Sequence, residues 1–213
     1  MLAPPGYGIG VTQQLFDPEY RSLEEAREAS KGCKRCELWK TGTQTVFGEG
    51  SPDSDLVLVG EQPGDKEDLE GRPFVGPAGR LLDDALEQAG IDRGTAYVTN
   101  VVKHFKWQGR GKRRIHQKPN AAEVAACRIW LDTELALLQP KVLVCLGATA
   151  AQALLGRQFR VSKQRGVPVD SDLAPVVMAT VHPSSILRSD DRDTDLALLV
   201  DDLKQVAKAL RVA

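Results

Sequence analysis

Asp55–Gly60 (DLVLVG) and Lys141–Gly147 (KVLVCLG) are short runs of valine and leucine that each stop at a glycine. Unbroken apolar runs of this length suit strands buried on both faces, as in a parallel sheet covered by helices. Thr95–Val102 and Val176–Val181 read as two further strands of the same kind. Helical patterns lie between and beyond them. Pro77–Gly90 has proline near its start and glycine at its end, and Asn120–Gln139 opens with Asn120 and Glu123 at capping-box spacing and stops at Pro140. An Ala/Leu helix ends at Gly156, and a closing helix spans about Asp193 to Leu210. The alternation predicts an α/β domain: three α/β/α layers around a central, mostly parallel four-stranded sheet. Ser22 and Glu25 repeat the capping-box spacing ahead of a helix that ends before Gly32. Residues 1–20, rich in Gly and Pro, read as an irregular arm, and residues 21–213 as one domain.

With 28 Lys+Arg against 29 Asp+Glu, the net charge of −1 excludes a globally basic nucleic-acid binder but leaves room for a local basic patch. A hydrophobic share of 42% excludes a disordered chain. No apolar run approaches the roughly 20 residues of a membrane helix, and the first residues lack a signal-peptide pattern, which predicts a soluble, cytoplasmic protein. In a reducing compartment the four cysteines are poor disulfide candidates, and their spacing is better tested as metal-ligand spacing. Cys33 and Cys36 form a C-x2-C pair in KGCKRC, where a glycine-started turn can aim both sulfurs at one site and the flanking Lys34 and Arg35 favour thiolates.

In doubly covered sheets, ligands lie beyond the carboxyl ends of the strands. There this sequence places Gly60-Glu61-Gln62-Pro63-Gly64-Asp65, Thr99-Asn100, Leu146-Gly147 and Val181-His182-Pro183-Ser184-Ser185. A carboxylate, a carboxamide and an imidazole are thereby brought to one edge. Each also has an ordinary structural use: Asn100 as a turn cap, His182 as partner of a carbonyl, and nearby Phe74 as core.

These strand ends resemble the uracil-DNA glycosylase superfamily, in particular its iron-sulfur family 4 and, more specifically, the bacterial family X (UdgX-type) proteins. The resemblance runs from about Cys33 to Arg188. It rests on five segments in order: Gly60–Gly64, Gly71–Gly76 (GRPFVG), Thr99–Phe105 (TNVVKHF), Lys112–His116 (KRRIH) and His182–Ser185 (HPSS).

The resemblance implies excision of uracil from DNA, with single-stranded DNA preferred. Breaking the bond between uracil N1 and deoxyribose C1′ puts positive charge on the sugar and negative charge on the base. Asn100 then pairs with uracil N3–H and O4, His182 donates to the oxygen that gains charge, and Phe74 stacks on the flipped base. Glu61 orients a nucleophile or offsets sugar charge, while Gln62, Gly64 and Asp65 line the base site. His116 resembles the family X residue whose imidazole attacks C1′ and leaves the protein joined to the abasic sugar, with Arg113 and Arg114 disfavouring its protonation. The stretch Lys103–Lys118 reads as a basic loop that carries Lys103, Lys106, Arg110, Lys112, Arg113, Arg114 and Lys118 with no acid, interleaved with Phe105 and Trp107, which suits contact with DNA phosphates and bases. Ser184, Ser185 and Arg188 are assigned to the DNA clamp, with Ile186 or Leu187 as a wedge.

By the same resemblance, Cys33, Cys36, His104 and Cys127 hold a 4Fe-4S cluster, His104 standing where family 4 has cysteine. Three thiolates and an imidazole would equally suit zinc, so iron rests on the resemblance. Cys145 is the alternative fourth ligand, but its place inside VLVCL reads as core. The partner expected is uracil-containing DNA, bound by a monomer away from membranes. Two competing readings are a family 4-like glycosylase that turns over, and a metal-stabilised DNA-binding module without excision.

Overall fold

The computed structural model describes residues 19–212. The N-terminal arm therefore lies almost wholly outside the described residues. Four parallel strands, β1 (Leu56–Gly60), β2 (Ala96–Asn100), β5 (Val142–Leu146) and β6 (Val176–Thr180), form one sheet in the order β2-β1-β5-β6. All four predicted strands are present. β1, β2 and β5 are buried along their whole length, as their unbroken apolar runs require.

Alternate side chains of each strand enter two separate cores. Val57, Val59, Leu143 and Cys145 pack with α1 (Leu23–Ser30), α4 (Ala121–Leu138) and α5 (Ala148–Leu155) through Ala26, Leu131 and Ala150. Leu56, Leu58, Val144 and Met178 pack on α3 (Pro77–Gln88) and α8 (Arg192–Val212) through Leu82, Leu86, Leu199 and Leu203. This is the expected three-layer arrangement. The Asn120/Glu123 capping box forms in full, Asn120 Oδ1 accepting the Glu123 N–H and Glu123 Oε2 the Asn120 N–H, whereas Ser22 Oγ accepts the Glu25 N–H but the Glu25 carboxylate takes the Arg21 N–H instead. Among the described residues, no helix is long and apolar enough to cross a membrane.

Five short elements depart from the sequence reading. α2 (Asp65–Glu70), α6 (Val161–Gln164) and α7 (Pro183–Ile186) are too short to show helical periodicity. The basic stretch is also not a loop. β3 (Trp107–Arg110) and β4 (Arg113–His116) pair as an antiparallel hairpin around Gly111, whose φ of 60° a two-residue turn needs. Its exposed, basic strands lack the apolar alternation by which strands are read.

Candidate active site

The parallel register sets Gly60 of β1 beside Asn100 of β2 at the carboxyl edge. A β-carbon on residue 60 would collide with Asn100 Oδ1 and come within 2.7 Å of Phe74 Cζ, so the missing side chain brings amide and ring together. Asn100 Oδ1 is buried and has no hydrogen-bond partner among the described residues. Such a group costs about 1–3 kcal/mol in a finished fold, so an acceptor left like this points to a ligand donor.

Phe74 is buried and has φ 57°, a left-handed conformation that a bulky side chain takes only under constraint. The constraint comes from both sides of its loop. Its carbonyl lies where a β-carbon on Gly79 would be, and Glu67 accepts the N–H groups of Gly64 (3.0 Å) and Gly76 (2.7 Å), tying the loop after β1 to the Phe74 loop. The Phe74 ring stacks against His182, centroids 6.1 Å apart at 29°.

His182 caps α7, and its Nδ1 accepts the Ser184 N–H at 3.1 Å. The proton of the neutral ring therefore sits on Nε2, which is left as a donor. Burial pushes the imidazole down to about 4, against the opposing pull of Glu61, so at neutral pH it donates without carrying charge.

His116 Nε2 lies 3.3 Å from Glu61 Oε1, and Thr149 donates to Glu61 Oε2. Burial alone would raise the Glu61 carboxyl, yet the hydrogen bonds from His116 and Thr149 prevail and hold it below its ordinary value. His116 is half exposed on β4, its ring tilted against Phe105 at 6.2 Å. In a neutral ring, a proton on Nε2 facing this carboxylate would leave the lone pair on Nδ1, which is the form of a nucleophile or general base.

Several assigned residues instead hold the hairpin in place. Gln62 is buried, its amide donating to the carbonyls of Lys106 (3.2 Å) and Gln117 (3.1 Å) and accepting the Lys106 N–H (3.2 Å). Its side chain is thus committed to the hairpin base and not to a ligand. Arg114 pairs with Asp65 (2.6 Å) and Asp68 (2.5 Å) and stacks over Phe105 and Trp107. Arg114 is thereby paired with carboxylates and Asp65 with Arg114, while Gly64 serves as the N-cap of α2. The two arginines thus differ, since Arg113 and Lys112 are exposed at the hairpin tip.

Two cations of the basic stretch are likewise engaged: Lys103 is buried against Glu134, and Lys106 pairs with Glu123 at 2.9 Å. Ser184 turns its hydroxyl to His182 Nδ1 (2.8 Å), and Ser185 donates to the His182 carbonyl (2.7 Å), so both serines orient the histidine. Arg188 is exposed. Ile186 is buried in the core and cannot be a wedge, and Leu187 is half-buried. Thr149, Glu67 and Asp68 were not read from the sequence. Thr149 was within reach of it, lying two residues beyond the strand end at Gly147.

The cysteine pair follows α1 and faces α4. Trp130 Nε1 donates to Cys33 Sγ at 3.2 Å, and the Lys103 N–H to Cys127 Sγ at 3.2 Å. Cys33 and Cys36 stand near enough for their charges to act on Cys127. His104 is buried, its ring packed against Gly42. Cys145 lies in β5, fully buried, its thiol pushed up to about 12 by burial, as a core residue would be. Among the described residues, no three His, Cys, Asp or Glu side chains converge as ligands of a single ion. Three grouped thiols, two of them receiving N–H donors, nevertheless fit a sulfur-ligated cluster, whose several irons spread their ligands more widely than one ion does.

Residues 47–204 match the uracil DNA glycosylase superfamily. The chain is 39% identical to a type-4 uracil-DNA glycosylase of Thermotoga maritima, over 88% of this chain and 92% of that one. It is 36% identical to the type-4 enzyme of Sulfurisphaera tokodaii, over 78% and 76%. A type-5 uracil-DNA glycosylase of Thermus thermophilus is 32% identical over 52% of this chain and 53% of its own.

Proposed function

Because the chain belongs to the uracil DNA glycosylase superfamily, we propose that it removes uracil from DNA and then captures the abasic sugar through His116. The flipped uracil stacks on Phe74. Asn100 Oδ1 accepts N3–H and its amide N–H group donates to O4; cytosine, with an acceptor at N3 and a donor at C4, would leave both unpaired. His182 Nε2–H donates to the uracil oxygen that gains charge as the C1′–N1 bond lengthens. The bonding electrons leave with the base. Glu61, ionised and close, offsets the positive charge on the sugar.

The free nitrogen of His116 then donates its lone pair to C1′, forming an N–C1′ bond. The imidazole becomes cationic, Glu61 takes up that charge, and loss of the Nε2 proton to solvent leaves a neutral alkylated ring, which is a poor leaving group. The uracil anion takes its proton from solvent. The observation that supports capture is the 3.3 Å contact between Glu61 and His116. A turning-over glycosylase is the second reading, favoured by the identity to type-4 enzymes. Arg113, Lys112, Arg110 and Lys118 supply phosphate contacts in this reading, with single-stranded DNA the preferred substrate. Cys33, Cys36, His104 and Cys127 would hold a 4Fe-4S cluster. Held there, such a cluster would tie the turn after α1 to α4 and to the turn after β2, and no step of the reaction is routed through it.

The experiment mixes protein with labelled single-stranded DNA carrying one uracil and runs a denaturing gel beside a thymine control and a His116→Ala protein. A heat-stable, uracil-dependent shift that the variant lacks is the expected result. Free abasic DNA without a shift would reduce His116 to a binding contact.

A further inference from the structure

Lys103 and Glu134 pair at 2.5 Å with both side chains fully buried. Buried pairs are weak sources of stability, because desolvation of the two ions offsets most of their attraction. Their placement needs another reason. The three ammonium hydrogens have three acceptors: Glu134 Oε2, Thr99 Oγ1 at 2.6 Å, and the main-chain carbonyl of Asn100 at 2.8 Å. Glu134 Oε1 accepts the Gly48 N–H (2.8 Å) and the Tyr97 hydroxyl (3.0 Å). The main chain of Lys103 is fixed as well, its N–H on Cys127 Sγ and its carbonyl on the Val46 N–H at 2.7 Å.

The peptide so gripped is the one that carries the unpartnered Asn100 side chain out of β2. A fully used ammonium on that carbonyl leaves the chain one orientation at the point where a base-reading amide must be aimed. We propose that the Lys103–Glu134 pair is a positioning element for Asn100, retained for the alignment of that amide rather than for stability. The proposal rests on Asn100 being the uracil-reading side chain. If the pair only filled the core, a neutral pair of equal volume that folds would leave base recognition unchanged.

The test is the double variant Lys103→Met/Glu134→Gln, which removes both charges together and keeps a carboxamide oxygen for Gly48 and Tyr97. Thermal unfolding, single-turnover uracil excision, inhibition by free uracil and affinity for a thymine oligonucleotide are measured. Expected are a melting temperature at or above that of the unmodified protein, excision about tenfold slower or worse, uracil inhibition weakened by a similar factor, and unchanged affinity for thymine DNA. A folded double variant that excises uracil and is inhibited by it like the unmodified protein would overturn the proposal. So would one that unfolds, by showing that the pair holds the core. An unmodified protein without excision activity fails at the earlier step, the reading of Asn100 itself, and is distinguishable on that ground.

Discussion

His116 Nε2 stands 3.3 Å from Glu61 Oε1, and the second oxygen of that carboxylate is occupied by the Thr149 hydroxyl. The carboxylate is therefore held at both ends and offers one face to the imidazole. Replacing Thr149 by valine keeps the volume and removes the hydroxyl. A hydrogen bond to a charged group contributes roughly 1.5–3 kcal/mol, so covalent capture in Thr149→Val should slow by about one to two orders of magnitude while DNA affinity holds. Quenched-flow trapping on denaturing gels measures this, and capture at the original rate would remove Thr149 from the site.

The lone acceptor of Asn100 predicts opposite effects on stability and function. Asn100→Ala removes a buried, unpaired oxygen, so the protein should gain up to about 1–3 kcal/mol in urea unfolding while losing uracil excision by two orders of magnitude or more. Loss of both together would mean that the amide has a structural partner in the folded protein.

Acid should destabilise the protein through His182. Its folded value of about 4 lies below the ordinary histidine value near 6.5, so the unfolded chain binds more protons between those limits and stability falls as pH falls through them. The full span corresponds to at most about 3 kcal/mol. The lowered carboxyl of Glu61 acts in the same direction, its contribution also being lost as pH falls. Urea midpoints of the unmodified protein and of His182→Gln, taken at pH 7 and pH 4.5, should converge toward the acid end. A constant gap would show that His182 is not the titrating group.

Gly60 tests where the proposed base site lies. A methyl group there meets Asn100 Oδ1 and the Phe74 ring, so Gly60→Ala should abolish excision, while a filter-binding assay with thymine DNA should show unchanged affinity. Retained excision would place the base elsewhere.

Iron content separates the cysteines. Anaerobically purified protein should be brown, with about four irons per chain if a 4Fe-4S cluster is present. Cys127→Ala should lose them and Cys145→Ala should keep them. Colourless, iron-free protein would remove the cluster altogether.

The fold was legible because its strands advertise themselves: DLVLVG and KVLVCLG need burial on both faces, and the helices between them carry capping residues. Asn100, Phe74, His182, Glu61 and His116 were legible as motif residues, and the structure brings them to one edge. Which cations face solvent was not legible. Lys103 and Arg114 sit in a stretch without acids, but their partners Glu134, Asp65 and Asp68 come from other parts of the chain. Gln62 and the two serines were hidden in the same way, since a polar side chain near a site can serve the backbone as well as a ligand.

The hairpin leaves and rejoins the domain at a single point, where the Gln117 N–H bonds the Lys106 carbonyl at 2.9 Å and Gln62 fastens both residues. Residues 107–116 thus form an insertion whose two ends already touch, fastened to the domain as well by Arg114 on Asp65 and Asp68 and by the Trp107 indole N–H on the Thr41 carbonyl. Splicing Lys106 to Gln117 through a short turn would remove His116 and the basic tip together, and with them the partners of Glu61 and of the buried Asp68, while Asn100, Phe74 and His182 lie outside the excised residues. His116 and its basic neighbours are, in this architecture, an insertion laid beside the parallel sheet rather than a part of it.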